Sequence, residues 1–231
     1  MTTKKTFYTE LSYVFGILIL ALGTAFMERA NFGVSMVVAP AYILHLKISQ
    51  YLPFFSFGMA EYCLQAVLLV LIGIVLRKFR ITFLFSFVTA VFYGFVLDGM
   101  MALIGLLPMT TLLGRILFYI VGLLACSLGV ALLFHTYIAP EAYELFVKEF
   151  SGKYNKNIHK VKTVYDCCSC LTAVVLSFIF FGFLHFEGVK LGTIFCALVN
   201  GSVIGQFSKS LEKFFVFKDG LKLRGYFESE G

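Results

Sequence analysis

The stretch "GMAEYCLQAVLLVLIGIVL", residues 58–76, runs for 19 residues with one charge, Glu61. A helix rises about 1.5 Å per residue, so about 20 apolar residues cross the ~30 Å hydrocarbon layer of a bilayer. A run of this length and composition reads as a membrane-spanning helix with a carboxyl group set inside it. Similar runs recur along nearly the whole chain. Of its 231 residues, 60% are hydrophobic and only 14% are charged, against about 25% in an ordinary soluble domain. With a mean hydropathy of +0.91, no soluble domain remains to be placed. The expectation is an all-α membrane protein, a single polytopic domain over 1–231.

Six spans are expected, at 11–30, 53–77, 81–104, 112–135, 163–185 and 191–212. The opening "MTTKKTFYTELSYVFGILIL" has the basic start and apolar run of a signal peptide, but Glu28-Arg29 stands where small residues would mark cleavage, so it reads as a retained first span. Cytoplasmic loops are enriched in Lys and Arg. One side collects Lys4, Lys5, "RKFR" at 77–80, Lys148, Lys153, Lys156, Lys160, Lys162 and the five basic residues from Lys209 to Arg224, 15 of the 19 in all. Both termini are therefore expected in the cytoplasm, with a basic tail at 213–231 that suits a cytosolic or membrane partner. The same scatter of charge over short loops excludes a nucleic-acid face, despite a net charge of +6.

Two connections are unlike ordinary loops. Residues 31–48 and 137–150 are apolar on one side and each contains Ala-Pro, the pattern of an interfacial amphipathic helix or a re-entrant segment covered by protein. The linker at 151–160, "SGKYNKNIHK", reads as a solvated turn.

The halves echo one another. Leu22-Gly23-x-Ala25 returns as Leu128-Gly129-x-Ala131 at an offset of 106, Glu61 as Asp166 at 105, and Ala90-x-x-x-Gly94 as Ala197-x-x-x-Gly201 at 107. Two three-helix repeats follow, 11–104 and 112–212. Because three is odd, the second enters the membrane from the opposite face, the inverted-repeat plan of alternating-access transporters.

An ionised side chain at bilayer depth costs about 2.5–3.5 kcal/mol on insertion scales, so carboxyl groups inside spans are candidate sites. Glu61, Asp166 and Asp98 are the candidates for a substrate or proton, although Asp98-Gly99 also suits the start of a turn. The matched pairs Tyr93-Gly94 and Asn200-Gly201 add a polar side chain beside a close helix seam. Cys63, Cys167 and Cys170 are the thiols from which a soft-metal site would have to be built, but reduced cysteines within apolar runs serve mainly as small hydrophobes. No metal and no cofactor is expected. His45, His135, His159 and His185 lack ligand spacing, and no sequence pattern of an intramembrane enzyme is present.

The stretches "ALGTAFMERANFGVSM", "GMAEYCLQAVLL", "FLFSFVTAVFYGFVLDG", "YDCCSCLTAVVLS" and "GVKLGTIFCALVNGSVIG" resemble the bacterial YczE/YyaS/YitT-like integral membrane proteins, most closely the YczE-like branch. The chain departs from that pattern after Gly33, where Ser35 is followed by Met36 rather than by a small-residue step to proline. The resemblance implies a multi-pass protein of the bacterial plasma membrane and supplies neither substrate nor catalytic residue. The function expected from repeats and buried acids is transport of a small polar or cationic solute, through proton coupling or cation binding. The alternatives are a non-transporting scaffold, sensor or regulator, or the substrate-binding subunit of a multi-subunit importer.

Overall fold

The computed structural model describes residues 4–76, 81–108, 111–182, 188–222 and 224. The basic run at 77–80, His185 and the end of the tail from 225 lie outside them. Eight helices are present among the described residues: α1 Thr9–Ala30, α2 Ala39–Ile48, α3 Phe57–Leu76, α4 Ile81–Gly105, α5 Leu112–Phe134, α6 Ala142–Lys153, α7 Ile158–Phe181 and α8 Leu191–Phe214. Six of these are apolar over 19 to 24 residues, long enough to cross a bilayer. The protein is a multi-pass membrane protein. Its outer face is apolar, with Val70, Ile74, Val88, Phe95, Ile179 and Leu198 exposed, while Ser12, Thr24, Gln65, Ser127 and Asn200 are buried inside.

The six spans fall within about five residues of the expected bounds, with α3 starting at Phe57 rather than 53 and α7 at Ile158 rather than 163. Asn157 is the cause of the early start of α7. Its side chain accepts the backbone N–H groups of His159 and Lys160, an N-cap that starts the helix inside what reads as a solvated lysine-rich turn. The solvated turn shrinks accordingly, and Lys162, counted among the cytoplasmic lysines, is completely buried one turn into the span. Similarly, α4 continues unbroken through Asp98-Gly99 to Gly105, so no turn begins there.

Helices α1 and α5 cross most intimately. A Cβ on Gly23 would lie 2.6 Å from the Cys126 backbone nitrogen and 2.8 Å from the Gly122 carbonyl, and one on Gly129 would lie 2.8 Å from the Gly16 carbonyl. Gly16 and Gly23 correspond to Gly122 and Gly129 at the repeat offset of 106, and the contacts pair Gly16 with Gly129 and Gly23 with Gly122. Exchanging the halves leaves that crossing unchanged. The remaining packing follows suit: α3 with α4 matches α7 with α8, α1 with α4 matches α5 with α8, and α2 with α7 matches α6 with α3. Gly94 meets Gly58 across the α3–α4 seam, and Gly201 meets Thr163 and His159 across the α7–α8 seam, as the small-residue spacing implies.

Beyond the helices, β1 (Lys5–Tyr8) pairs in parallel with β2 (Phe215–Lys218), with Lys5 opposite Phe215 and Tyr8 opposite Lys218. Glu10 then accepts the backbone N–H groups of Gly220 and Leu221, and Thr9 bonds Asp219 at 3.1 Å. The Arg224 guanidinium, 2.7 Å from Asp219, holds that carboxyl below its ordinary range. The tail therefore begins after α8 ends at Phe214, and its first part folds onto the N-terminus instead of hanging free. At the other end, Arg115 bonds the Ala30 and Asn31 carbonyls at 2.8 and 3.2 Å, and Lys190 also bonds Asn31. Cations there complement the negative end of α1.

Overpacking a tight seam costs about 1–3 kcal/mol, whereas Gly to Ala in an open helix interior gains up to about 1 kcal/mol. Gly23→Ala should therefore lower the thermal unfolding midpoint of detergent-solubilised protein. Gly99→Ala, with nothing within 4 Å of its Cβ position, should leave that midpoint unchanged or raise it.

Candidate functional site

Each half carries an irregular segment that returns into the bundle before its short helix. Residues 33–41 and 139–145 are buried without interruption, so protein covers the first part of each short helix and the stretch that leads into it. Irregular backbone in an apolar layer needs partners from the protein. Thr193 on α8 donates to the Val34 carbonyl at 2.9 Å, and Ser169 on α7 donates to the Met36 carbonyl at 2.9 Å. For the second segment, Ser86 on α4 donates to the Pro140 carbonyl and Thr89 donates to the Ala139 carbonyl at 2.9 Å. Ser86 and Thr193 occupy one repeat position, at an offset of 107. Each half thus uses the same hydroxyl position to hold the other half's segment.

Where these segments meet, carboxyl groups gather. Glu61 on α3 accepts from the Tyr143 hydroxyl at 3.0 Å and from the Gln65 amide at 3.4 Å. The same Gln65 nitrogen donates to Glu141 at 2.8 Å, and the Gln65 oxygen accepts the Ala142 N–H at the start of α6. One amide therefore caps a helix and joins two carboxyl groups. On the other flank, Lys162 lies 3.2 Å from Glu144 and 3.0 Å from Asp166. Asn200 donates to Asp166 at 3.4 Å and accepts from Ser127 at 2.7 Å. Tyr93 shares a hydrogen bond of 3.1 Å with Thr24. Between the flanks lies a cavity of about 20 Å³ bordered by Ser35, Tyr93, Glu141, Glu144, Lys162 and Asn200, which is room for one water molecule.

The charge balance of this site is uneven. Glu61, Glu141, Glu144 and Asp166 are each at most 2% exposed, and Lys162 is 0% exposed. Four carboxyl groups thus share one ammonium. Among the described residues, Glu61 Oε1, Glu141 Oε1 and Glu144 Oε2 are buried without a hydrogen bond to a protein atom. Burying an unpaired charge costs far more than burying a paired or neutral group, so the excess acid must be met by bound protons or bound cations.

Of the residues expected from sequence, Glu61, Asp166, Tyr93 and Asn200 all lie in this interior. Asp98 does not. It is only partly buried and serves as a helix cap, accepting from Ser56 at 2.6 Å and from the Gly58 N–H at 2.9 Å at the start of α3. Cys63 and Cys167 face outward while Cys170 is buried, and among the described residues no three His, Cys, Asp or Glu side chains converge as metal ligands. Gln65, Glu141, Tyr143, Glu144 and Lys162 are the members that sequence reading missed. Two signals were available: Gln65 lies four residues after Glu61, and Lys162 four before Asp166, each on one helix face.

A family model described as a family of unknown function (DUF6198) matches residues 7–209. The chain belongs to the DUF6198 family. The DUF6198 match takes in every residue of the buried cluster and stops inside α8, before β2. No curated protein and no solved structure matches the chain.

Removing one member of a buried ion pair typically costs about 3–5 kcal/mol, because the partner charge is left uncompensated. Lys162→Met should accordingly reduce the stability of purified protein severely. Lys162→Met with Asp166→Asn should recover part of the loss in a double-mutant cycle measured by denaturant unfolding.

Proposed function

We propose that this protein is a small-solute transporter in which the buried carboxyl cluster exchanges protons for a small polar or cationic solute. The observation that carries this reading is the excess of buried carboxyl groups over the Lys162 ammonium among the described residues. A purely structural polar network would be expected to satisfy its members. This one sets four carboxyl groups around one ammonium at the centre of the bundle.

The division of labour follows from the geometry. Lys162 is committed to Asp166 and Glu144, so these form the compensated flank. Glu61 and Glu141 have only neutral donors, Tyr143 and Gln65. They are therefore the groups we assign to proton or cation exchange. Tyr93 and Asn200 border the cavity as polar contacts.

The exchange-related packing supports two repeats, and three long helices in each half give the second the opposite orientation in the membrane. Alternating access then consists of swapping the environments of two equivalent halves around a fixed centre. We place the protein in a bacterial plasma membrane, in line with the resemblance to YczE-like proteins. Even without Lys162, the excess of basic residues on the side of the paired termini favours the cytoplasm for both ends.

The test is solute-driven proton movement in proteoliposomes holding a pH-sensitive dye, challenged with a panel of small amines, inorganic cations and polar neutral solutes. At least one solute should change internal pH. Glu61→Gln and Glu141→Gln should each slow that change at least about tenfold, the scale of removing one positioned proton-transfer group, and Asp98→Asn should have little effect. Parental rates in both glutamine variants would exclude the assigned roles. If no solute moves protons through folded protein, the coupled-transport reading fails.

A further inference from the structure

A cavity lies away from the carboxyl cluster, on the lateral face where α6 meets α7. It measures about 550 Å³ and is floored by Phe146, Phe150, Val161, Val164 and Tyr165. A second groove of about 210 Å³, lined by Leu68, Ile72, Val75 and Ala142, adjoins it across the same two rings, Phe146 and Tyr165. Those rings lie 5.6 Å apart. Two apolar grooves thus flank one aromatic ridge.

The rim of the larger groove is polar on one side only. Lys156 and Lys160 stand at it, both exposed. Neither has an ion pair or a side-chain hydrogen bond among the described residues. Among the described residues, no acidic side chain lines the groove. Because α7 begins at Ile158, the two ammonium groups sit where the chain enters its apolar span, the level at which lipid headgroups lie. Asn157 already occupies the His159 and Lys160 N–H groups, so the helix end has little left to offer an anion there. Recognition rests on the two lysines.

We infer that this face holds an anionic phospholipid of the surrounding leaflet, its phosphate between Lys156 and Lys160 and its two acyl chains in the grooves on either side of Phe146 and Tyr165. Charge complementarity selects an anionic headgroup over a zwitterionic one. The two adjoining grooves select a two-chain lipid over a fatty acid. Tyr165 also lies 5.7 Å from the Lys162 ammonium and 6.4 Å from the Tyr143 ring, so the lipid would rest on the ring that separates the membrane from the buried cluster. The inference does not depend on transport.

Native mass spectrometry of the purified full chain, exposed to dioleoylphosphatidylglycerol or dioleoylphosphatidylcholine, tests it. Phosphatidylglycerol should be retained in preference to phosphatidylcholine. Lys156→Gln with Lys160→Gln should reduce that retention roughly tenfold or more, while Lys209→Gln with Lys213→Gln, exposed lysines on α8, should leave it unchanged. Val164→Trp, which fills the larger groove, should lower retention of both lipids. Equal retention of the two lipids would overturn the inference, as would an equal loss in the α8 variant, which would mean diffuse surface charge. Unaltered retention in Val164→Trp, or oleate held in preference to phosphatidylglycerol, would also overturn it.

Discussion

The constraint on which the structure depends is that backbone N–H and C=O groups in an apolar layer must find partners within the protein. Six long helices meet it by themselves. The irregular stretches at 33–38 and 139–141 do not, and hydroxyls on α4, α7 and α8 reach their free carbonyls. This requirement fixes which faces of the long helices can be apolar. It also brings helix α6 deep enough for Glu141 and Glu144 to face Glu61 and Lys162, so the carboxyl cluster is a consequence of how the irregular backbone is satisfied.

The repeat is kept at the backbone and broken at the side chains. Gly16, Gly23, Gly122 and Gly129 form a crossing that exchange of the halves leaves intact, and Ser86 and Thr193 perform one task in both. At the equivalent acids the halves diverge. Asp166 is met by the ammonium of Lys162, whereas Glu61 is met by a phenol and an amide. The two halves thus share their helix packing and differ in the partners they give to the acids at the centre.

How legible this was in the sequence can be judged from particular residues. Apolar runs of span length, and small residues at the seam positions Gly94 and Gly201, report directly because one local pattern decides each of them. Glu61 and Asp166 were visible as isolated acids in such runs. Lys162 was not, because it follows Lys156 and Lys160 in a stretch whose composition is that of a solvated turn, and only tertiary packing separates the buried lysine from its exposed neighbours. Glu141 and Glu144 were hidden for the same reason, since an amphipathic segment at an interface and one folded into the bundle share a sequence pattern. Asp98 misled in the other direction. Depth along a span does not distinguish a carboxyl that faces the centre from one that caps a neighbouring helix. The pairing of β1 with β2 joins residues about 210 positions apart and leaves no local trace.

The glycine crossing and the cavity together limit how such a protein can move. Backbones of α1 and α5 in direct contact have no side-chain layer to shear through, so this crossing is suited to act as a pivot. For the proposed transport, a cavity with room for one water would have to enlarge before it admitted a solute. Enlargement without breaking the pivot requires the α3–α4 and α7–α8 pairs to shift against it, and these pairs carry Glu61, Tyr93, Asp166 and Asn200. The side chains that line the centre are thus mounted on the helix pairs that the proposed transport would displace, around an axis that would stay closed.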